Sequence, residues 1–246
     1  MAVMIMLILR CLMMVTTMNS TTTTTYMGIT MTKAQASTID LLRLTQWLSP
    51  SFPLGAFAYS HALELVMSDG AVTDADTLED WLKMTLQVGG GKVDAWLLSQ
   101  VLTGADADDM AQMAEALAGT RERWMEAYDQ GAAFVRTVLA MGGTDITACA
   151  LPVAVGQAAR GMDVAPEAII SLYLHSFTAN LVSAAVRFVP LGQSAGQTVL
   201  ARLHPVIEAQ AAAVLEATNS TLTTSAFAAD LSAARHEDME VRLFKS

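Results

Sequence analysis

From Asp40 onward the apolar positions recur at three- and four-residue intervals, and no run alternates with period two. The pattern predicts helices and no sheet. Leu41, Leu44, Thr45 and Leu48 outline a short first helix stopped by Pro50, and a second is expected from Ala56 to about Ser68, closing at Gly70. Phe57, Tyr59 and Ser60 would then lie in its first turns. Leu78, Trp81, Leu82 and Thr85 line one face of a third helix, with Asp76 and Glu79 placed as a capping box. Gly89-Gly90-Gly91 breaks the chain before a helix carrying Trp96 and Leu97. Asp106 is the expected cap of the next, whose inner stripe is Met110, Met113, Ala114 and Leu117 and which Gly119 ends.

Trp124, Tyr128, Gly131, Val135 and Val138 define a longer helix, in which Gly131 is explained by a close helix approach. Gly142-Gly143 is the next boundary. The segment Ala165 to Val189 is apolar nearly all round, with Pro166 well placed at its start, as befits a helix that is central or shared between subunits. Gln197 to Thr218 reads as a helix that Pro205 must kink or interrupt, and a short helix around Leu231 to Met239 leads into the last residues. The expected fold is a single all-α helical-bundle domain of roughly nine or ten helices over residues 40–246, with 226–246 as a C-terminal tail.

Composition tests that picture against other classes. The chain is 246 residues long, 53% hydrophobic and only 15% charged, and its mean hydropathy is +0.40. Beyond Asp40, however, no uninterrupted apolar run reaches the roughly 20 residues a bilayer demands. Alanine-rich helices cut by Asp, Glu, Gln and Arg supply the hydrophobicity, as in a helical bundle that also buries a partner surface. A net charge of −10 with no basic stripe argues against nucleic-acid binding. The acids at Asp69, Asp74, Asp76, Glu79 and Asp80, and at Asp106, Asp108 and Asp109, fit helix N-termini. Two cysteines, Cys11 and Cys149, make neither a disulfide framework nor a metal cluster, and a reducing cytoplasm is the expected compartment.

Residues 1–39 stand apart as a leader. They hold half of the sixteen methionines and no acid, and Arg10 sits inside the apolar stretch where a signal peptide would keep its charge in front. Translation from Met27 or Met31 is one reading, with Thr21 to Thr25 unstructured in the longer product. A membrane anchor at Met1 to Val15 is another.

Chemistry is sparse. His61, His175, His204 and His236 are the four histidines, and no two share an i, i+4 face, so no helical zinc motif is present. Ser60 and His61 are adjacent on an expected helix and cannot act as nucleophile and base on each other. The glycine-rich pieces lack the Lys-Ser/Thr ending of a phosphate loop. No catalytic residue, no metal ligand set and no cofactor is expected. An exposed role for Phe57 and Tyr59 is open, because they flank a rigid proline turn instead of continuing a stripe, and Leu243-Phe244 is an apolar pair that must dock somewhere. His236 beside Glu237 reads as a surface or cap interaction. A helical metal-dependent hydrolase using His61, His175 and Asp94 remains a competing class, as does a membrane-anchored helical protein.

Several segments occur in an order that resembles the urease accessory protein UreF family. They are Leu48 to Glu64 (LSPSFPLGAFAYSHALE), Trp81-Leu82 with Asp94, Arg121-Glu122-Arg123-Trp124, Leu151-Pro152-Val153 with Gly156, Ala184 to Arg187, Pro190 to Gln197, His236-Glu237 and Arg242 to Ser246. The resemblance runs from about Leu41 to Ser246. It implies a non-catalytic all-α scaffold for urease nickel-site assembly. That scaffold would be a homodimer that binds the UreD (UreH) accessory protein, recruits the nickel-carrying GTPase UreG and docks on apo-urease. It also implies a tail ordered by UreD/UreH, with Arg242 and Phe57 on the GTPase docking surface; Phe57 stands where some relatives have tyrosine. The partner-binding set expected here is Phe57, Tyr59, Ser60 and Glu64 with His236, Arg242, Leu243 and Phe244.

Overall fold

The computed structural model describes residues 23–26, 29–32, 36–143, 145–217, 222 and 224–246. Two compact units are present, Met1–Ser37 and Thr38–Ser246. In the first, β1 (Thr23–Tyr26) pairs antiparallel with β2 (Ile29–Thr32), Thr23 opposite Thr32. The Thr run expected to be unstructured is therefore extended and paired over Thr23–Thr25. The readings that fell on Met1 to Val15, Cys11, Met27, Thr21 and Thr22 lie outside the described residues.

The second unit is all-α, as the periodicity requires. Its ten described helices are α1 (Thr38–Trp47), α2 (Leu63–Ser68), α3 (Ala75–Gln87), α4 (Gly90–Leu102), α5 (Ala107–Leu117), α6 (Arg121–Ala140), α7 (Leu151–Ala159), α8 (Pro166–Phe188), α9 (Gln193–Glu216) and α10 (Phe227–His236). Local chemistry sets most of their ends. Asp106 Oδ1 accepts the amides of Asp108 and Asp109, as expected of a cap. Helix α3 is capped two residues earlier than the sequence implied. Asp74 accepts from the Thr77 amide at 2.9 Å while Thr77 Oγ1 accepts from the Asp74 amide at 3.1 Å, so the box is Asp74–Thr77 and not Asp76–Glu79. Thr120 caps α6, and Pro166 opens α8 where its missing N–H costs nothing.

Helix α4 is the hub, packing against α3, α5, α7, α8 and α9 and burying Trp96, Leu97, Leu98 and Val101. Helices α8 and α9 form the most extensive pair; α8 buries Ile170, Leu174, Leu181 and Val182, and α9 buries Val199, Leu203 and Ile207. Among the described residues α8 is the one helix long and apolar enough to cross a membrane by length and composition. Here it packs against α1, α2, α3, α4 and α9. Pro205 does not interrupt α9; it and Ala201, whose carbonyl loses its helical partner, both face outward. Gly131 is where α6 meets α7. A Cβ built there would stand 1.8 Å from the Cys149 carbonyl oxygen, so only hydrogen fits.

Candidate functional site

The second helix does not begin at Ala56. Ala56–Ala58 make one tight 3-10 turn, Tyr59 is extended, and His61 and Ala62 both adopt left-handed backbone, φ +61° and +60°, before α2 starts at Leu63. Two consecutive non-glycine residues in that region are strained and need outside support. The support is the tail. The Ser60 amide and hydroxyl both donate to the Ser246 main-chain oxygen at 2.6 Å, and the Lys245 amide donates to the Ala58 carbonyl at 2.8 Å. A helix running through Ala58 to Ala62 would consume those same backbone groups. Tertiary pairing wins over an apolar spacing that is compatible with helix.

Three carboxylates fasten the tail to the body. Glu64, 2% exposed, accepts the amides of Leu243 at 2.7 Å and Phe244 at 3.0 Å. Glu122 Oε2 stands 2.7 Å from His236 Nδ1, its other oxygen takes the Arg242 guanidinium, and its own amide donates to Glu237. Glu126 accepts the Ser246 hydroxyl at 2.8 Å. His236 is therefore no surface residue: it is 0% exposed, wedged between Glu122 and Glu64, whose Oε2 lies 3.5 Å from Nε2. Phe244 is buried, with the Arg187 guanidinium 4.8 Å above its ring, and Arg187 also donates to the Phe57 carbonyl. Tyr59 is buried too. Its hydroxyl meets Asp129 at 3.3 Å, and burial, then the Asp129 charge, push its pKa up to about 12.

The tail thus docks on its own chain. Its docking is polar as much as apolar, since the two oxygens of the buried Glu64 take the amides of Leu243 and Phe244. Where the eight residues end up is informative. Ser60, Glu64, His236, Phe244 and Tyr59 are the buried fabric of the seam, and Arg242 is held beside Glu122. Phe57, 70% exposed, and Leu243, 74% exposed, are left facing out. The sequence reading missed Glu122, Glu126, Arg187 and Asn180, which donates to the Ala56 carbonyl. Glu122 was inside a quoted segment, but nothing in helical spacing distinguishes a carboxylate that will be buried.

Beneath the seam lies a cavity of about 280 Å³ lined by His61, Asp94, Arg123, Glu126 and Ser246 among others. Asp94, Arg123, Glu126 and His61 among them are paired. Arg123 bonds Asp94 at 2.7 Å, the Tyr173 hydroxyl bonds the other Asp94 oxygen at 3.0 Å, and His61 Nδ1 stands 3.2 Å from Glu126. Burial raises the Glu126 carboxyl, but His61, Arg123 and the Ser246 hydroxyl outweigh it and hold it at about 2. Burial and the Asp94 charge push the Tyr173 phenol well above its ordinary value. A carboxylate so acidic is a poor proton acceptor near neutrality. Gly90 permits the arrangement, since a Cβ there would sit 2.5 Å from His61 Nε2. The hydrolase set is not assembled, because His175 lies with His204 in a different groove. Among the described residues no group of three or more His, Cys, Asp or Glu side chains is arranged to hold a metal ion.

An all-helical body, a polar seam closing over it and outward apolar side chains beside the seam make a helical scaffold with a composite surface. Comparison with known proteins gives that scaffold a family. The UreF family model matches residues 72–204. A urease accessory protein UreF of Cereibacter sphaeroides strain KD131 is 51% identical over 206 residues, covering 84% of this chain and 98% of that relative. UreF proteins of Jannaschia sp. strain CCS1 and Dinoroseobacter shibae are 47% and 44% identical over 85% and 83% of the chain, and 96% and 98% of their own lengths. The chain belongs to the UreF family of urease accessory proteins.

Proposed function

We propose that this chain is a non-catalytic cytoplasmic scaffold of urease maturation. As a homodimer it binds the UreD/UreH accessory protein, recruits the nickel-carrying GTPase UreG, and docks on apo-urease without contacting a membrane or nucleic acid. Nickel is the cargo of that assembly, and the turn–tail seam holds no resident metal. Family membership supports the role in maturation. The observation that carries the mechanism is the seam, which brings residues more than 180 positions apart in sequence into one surface with Phe57 and Leu243 exposed on it.

Physically, the seam is a preformed half-site. Glu64 and Glu122 hold the tail in place, so a partner need not supply all the ordering free energy on binding. It gains instead the burial of two large apolar side chains and a guanidinium already aligned by Glu122. Arginine suits that role because its planar fork pairs with a carboxylate or carbonyl in a fixed orientation. Co-purification with the products of a urease operon, with and without residues 242–246, tests the proposal. The full chain should retain UreD/UreH and the GTPase, and the shortened chain should lose the GTPase. Equal recovery, or normal urease activation in cells lacking this subunit, would overturn it.

A further inference from the structure

Three side chains of α8 reach across to the proline-turn segment and take its main-chain carbonyls. Ser176 Oγ donates to Leu48 at 2.7 Å, Asn180 Nδ2 to Ala56 at 2.9 Å and the Arg187 guanidinium to Phe57 at 3.0 Å. At 100° per residue, positions 176, 180 and 187 fall within about 40° of one another, so they form one polar stripe along the helix. Granted the docking role proposed above for the seam, on which this rests, we propose that Asn180 is a positioning residue for the GTPase. It fixes the turn from which Phe57 projects.

The turn cannot fix itself. Ala56–Ala58 is a single 3-10 turn whose own bonds are the Ala58 amide to the Gly55 carbonyl at 3.0 Å and the Tyr59 amide to the Ala56 carbonyl at 3.1 Å. One turn fixes several dihedrals for each bond it closes, so it needs outside support. Asn180 supplies that support at both ends, since its amide nitrogen bonds the Ala56 carbonyl and stands 3.5 Å from the Tyr59 carbonyl. Two acceptors face the group, which makes it the NH₂ and leaves no place for a carboxylate.

Phe57 lies inside the span that Asn180 bridges. Its side chain is 70% exposed, so its direction is set by the backbone and not by packing. Asn180 is half-buried, and water competes less for its bond than for that of the exposed Arg187. On the other side the tail takes the Ala58 carbonyl through the Lys245 amide. The two exposed apolar side chains are thus placed by different devices: Phe57 by a stripe on a core helix, Leu243 by Glu64. A partner that meets Phe57 already aligned loses less free energy to ordering the turn.

The full-length chain carries the test. In Asn180→Ala, hydrogen exchange at the Ala58 and Tyr59 amides should accelerate about tenfold or more, while the Leu243 and Phe244 amides held by Glu64 keep their protection. Alanine favours helix, so α8 should persist and the melting temperature should fall by about 4 °C or less. With UreD/UreH bound, the variant's affinity for UreG should drop about tenfold, and the double variant with Phe57→Ala should bind no more weakly than Phe57→Ala alone. General destabilisation would not produce that non-additivity. Asn180→Asp, which keeps the shape and loses the donor, should show the same pattern. Unchanged exchange at the turn, unchanged affinity, or losses that add to those of Phe57→Ala would overturn the positioning role and leave the seam's docking role standing. Wild-type affinity in Phe57→Ala would instead remove Phe57 from the docking surface, and both would fall.

Discussion

The α8–α9 body and the turn–tail seam are held together by different physics. The body buries Ile170, Leu174, Val182, Leu203 and their neighbours, each contributing an increment of apolar burial to a shared core. The seam buries Ser60, Glu64, Glu126 and His236, and its bonds are few and directional. Removing one side chain from the body leaves many contacts standing. Removing one acceptor from the seam leaves a buried N–H with no partner, at a cost of about 1–3 kcal/mol for each group. A rigid scaffold can therefore carry an edge that opens by itself, and in this fold the edge is where the exposed Phe57 and Leu243 sit.

The largest effect should come from the body. Gly131→Ala forces a methyl onto the Cys149 carbonyl, and α6 and α7 must part; a loss of about 3 kcal/mol in global stability is expected by denaturant unfolding. Glu64→Ala should cost about 2 kcal/mol, and locally, since it strips two backbone amides of their acceptor. Hydrogen exchange at Leu243 and Phe244 should accelerate by orders of magnitude while the body amides stay protected. If Glu64→Ala instead lowered the global midpoint as far as Gly131→Ala, body and seam would be one cooperative unit and the contrast would fail.

Acid provides a milder route to the same distinction. Glu126 titrates at about 2 in the folded chain against 4.5 for its ordinary value. The folded state thus binds fewer protons than the unfolded state between those pH values, so stability is present above about pH 4.5 and falls as pH drops through the window. Glu126→Gln should flatten that fall, as read from denaturation midpoints at pH 5 and pH 3. Smallest of all is Phe57→Ala, whose ring is exposed. Its melting temperature should be unchanged, corresponding to less than about 0.5 kcal/mol.

The same contrast explains what could be read from the chain. Helices of the body announce themselves through apolar spacing, and Asp106, Gly131 and Pro166 are local signals with local causes. The start of α2 was misplaced because Ala56 to Ser68 has helical spacing while its backbone is claimed by residues at the other end of the chain. The α3 cap was misassigned because threonine, and not glutamate, closes the box at its third position. His236 looked like a surface residue because its partners Glu64 and Glu122 are remote in sequence. The proline turn and the apolar pair at the chain end drew attention to Phe57, Tyr59, Leu243 and Phe244, but which of them is buried and which faces out required coordinates. Burial of a carboxylate depends on where the amides of another segment fall, which no periodicity encodes.

The proposed docking role rests most directly on Arg242, which Glu122 holds at the rim of the seam. Its exposed ion pair is worth about 1 kcal/mol or less, so Arg242→Ala should fold normally. The decisive measurement is recovery of the UreG GTPase by the Arg242→Ala chain in the presence of UreD/UreH. The account predicts that the variant keeps UreD/UreH and loses the GTPase; recovery of both partners at wild-type levels would contradict it.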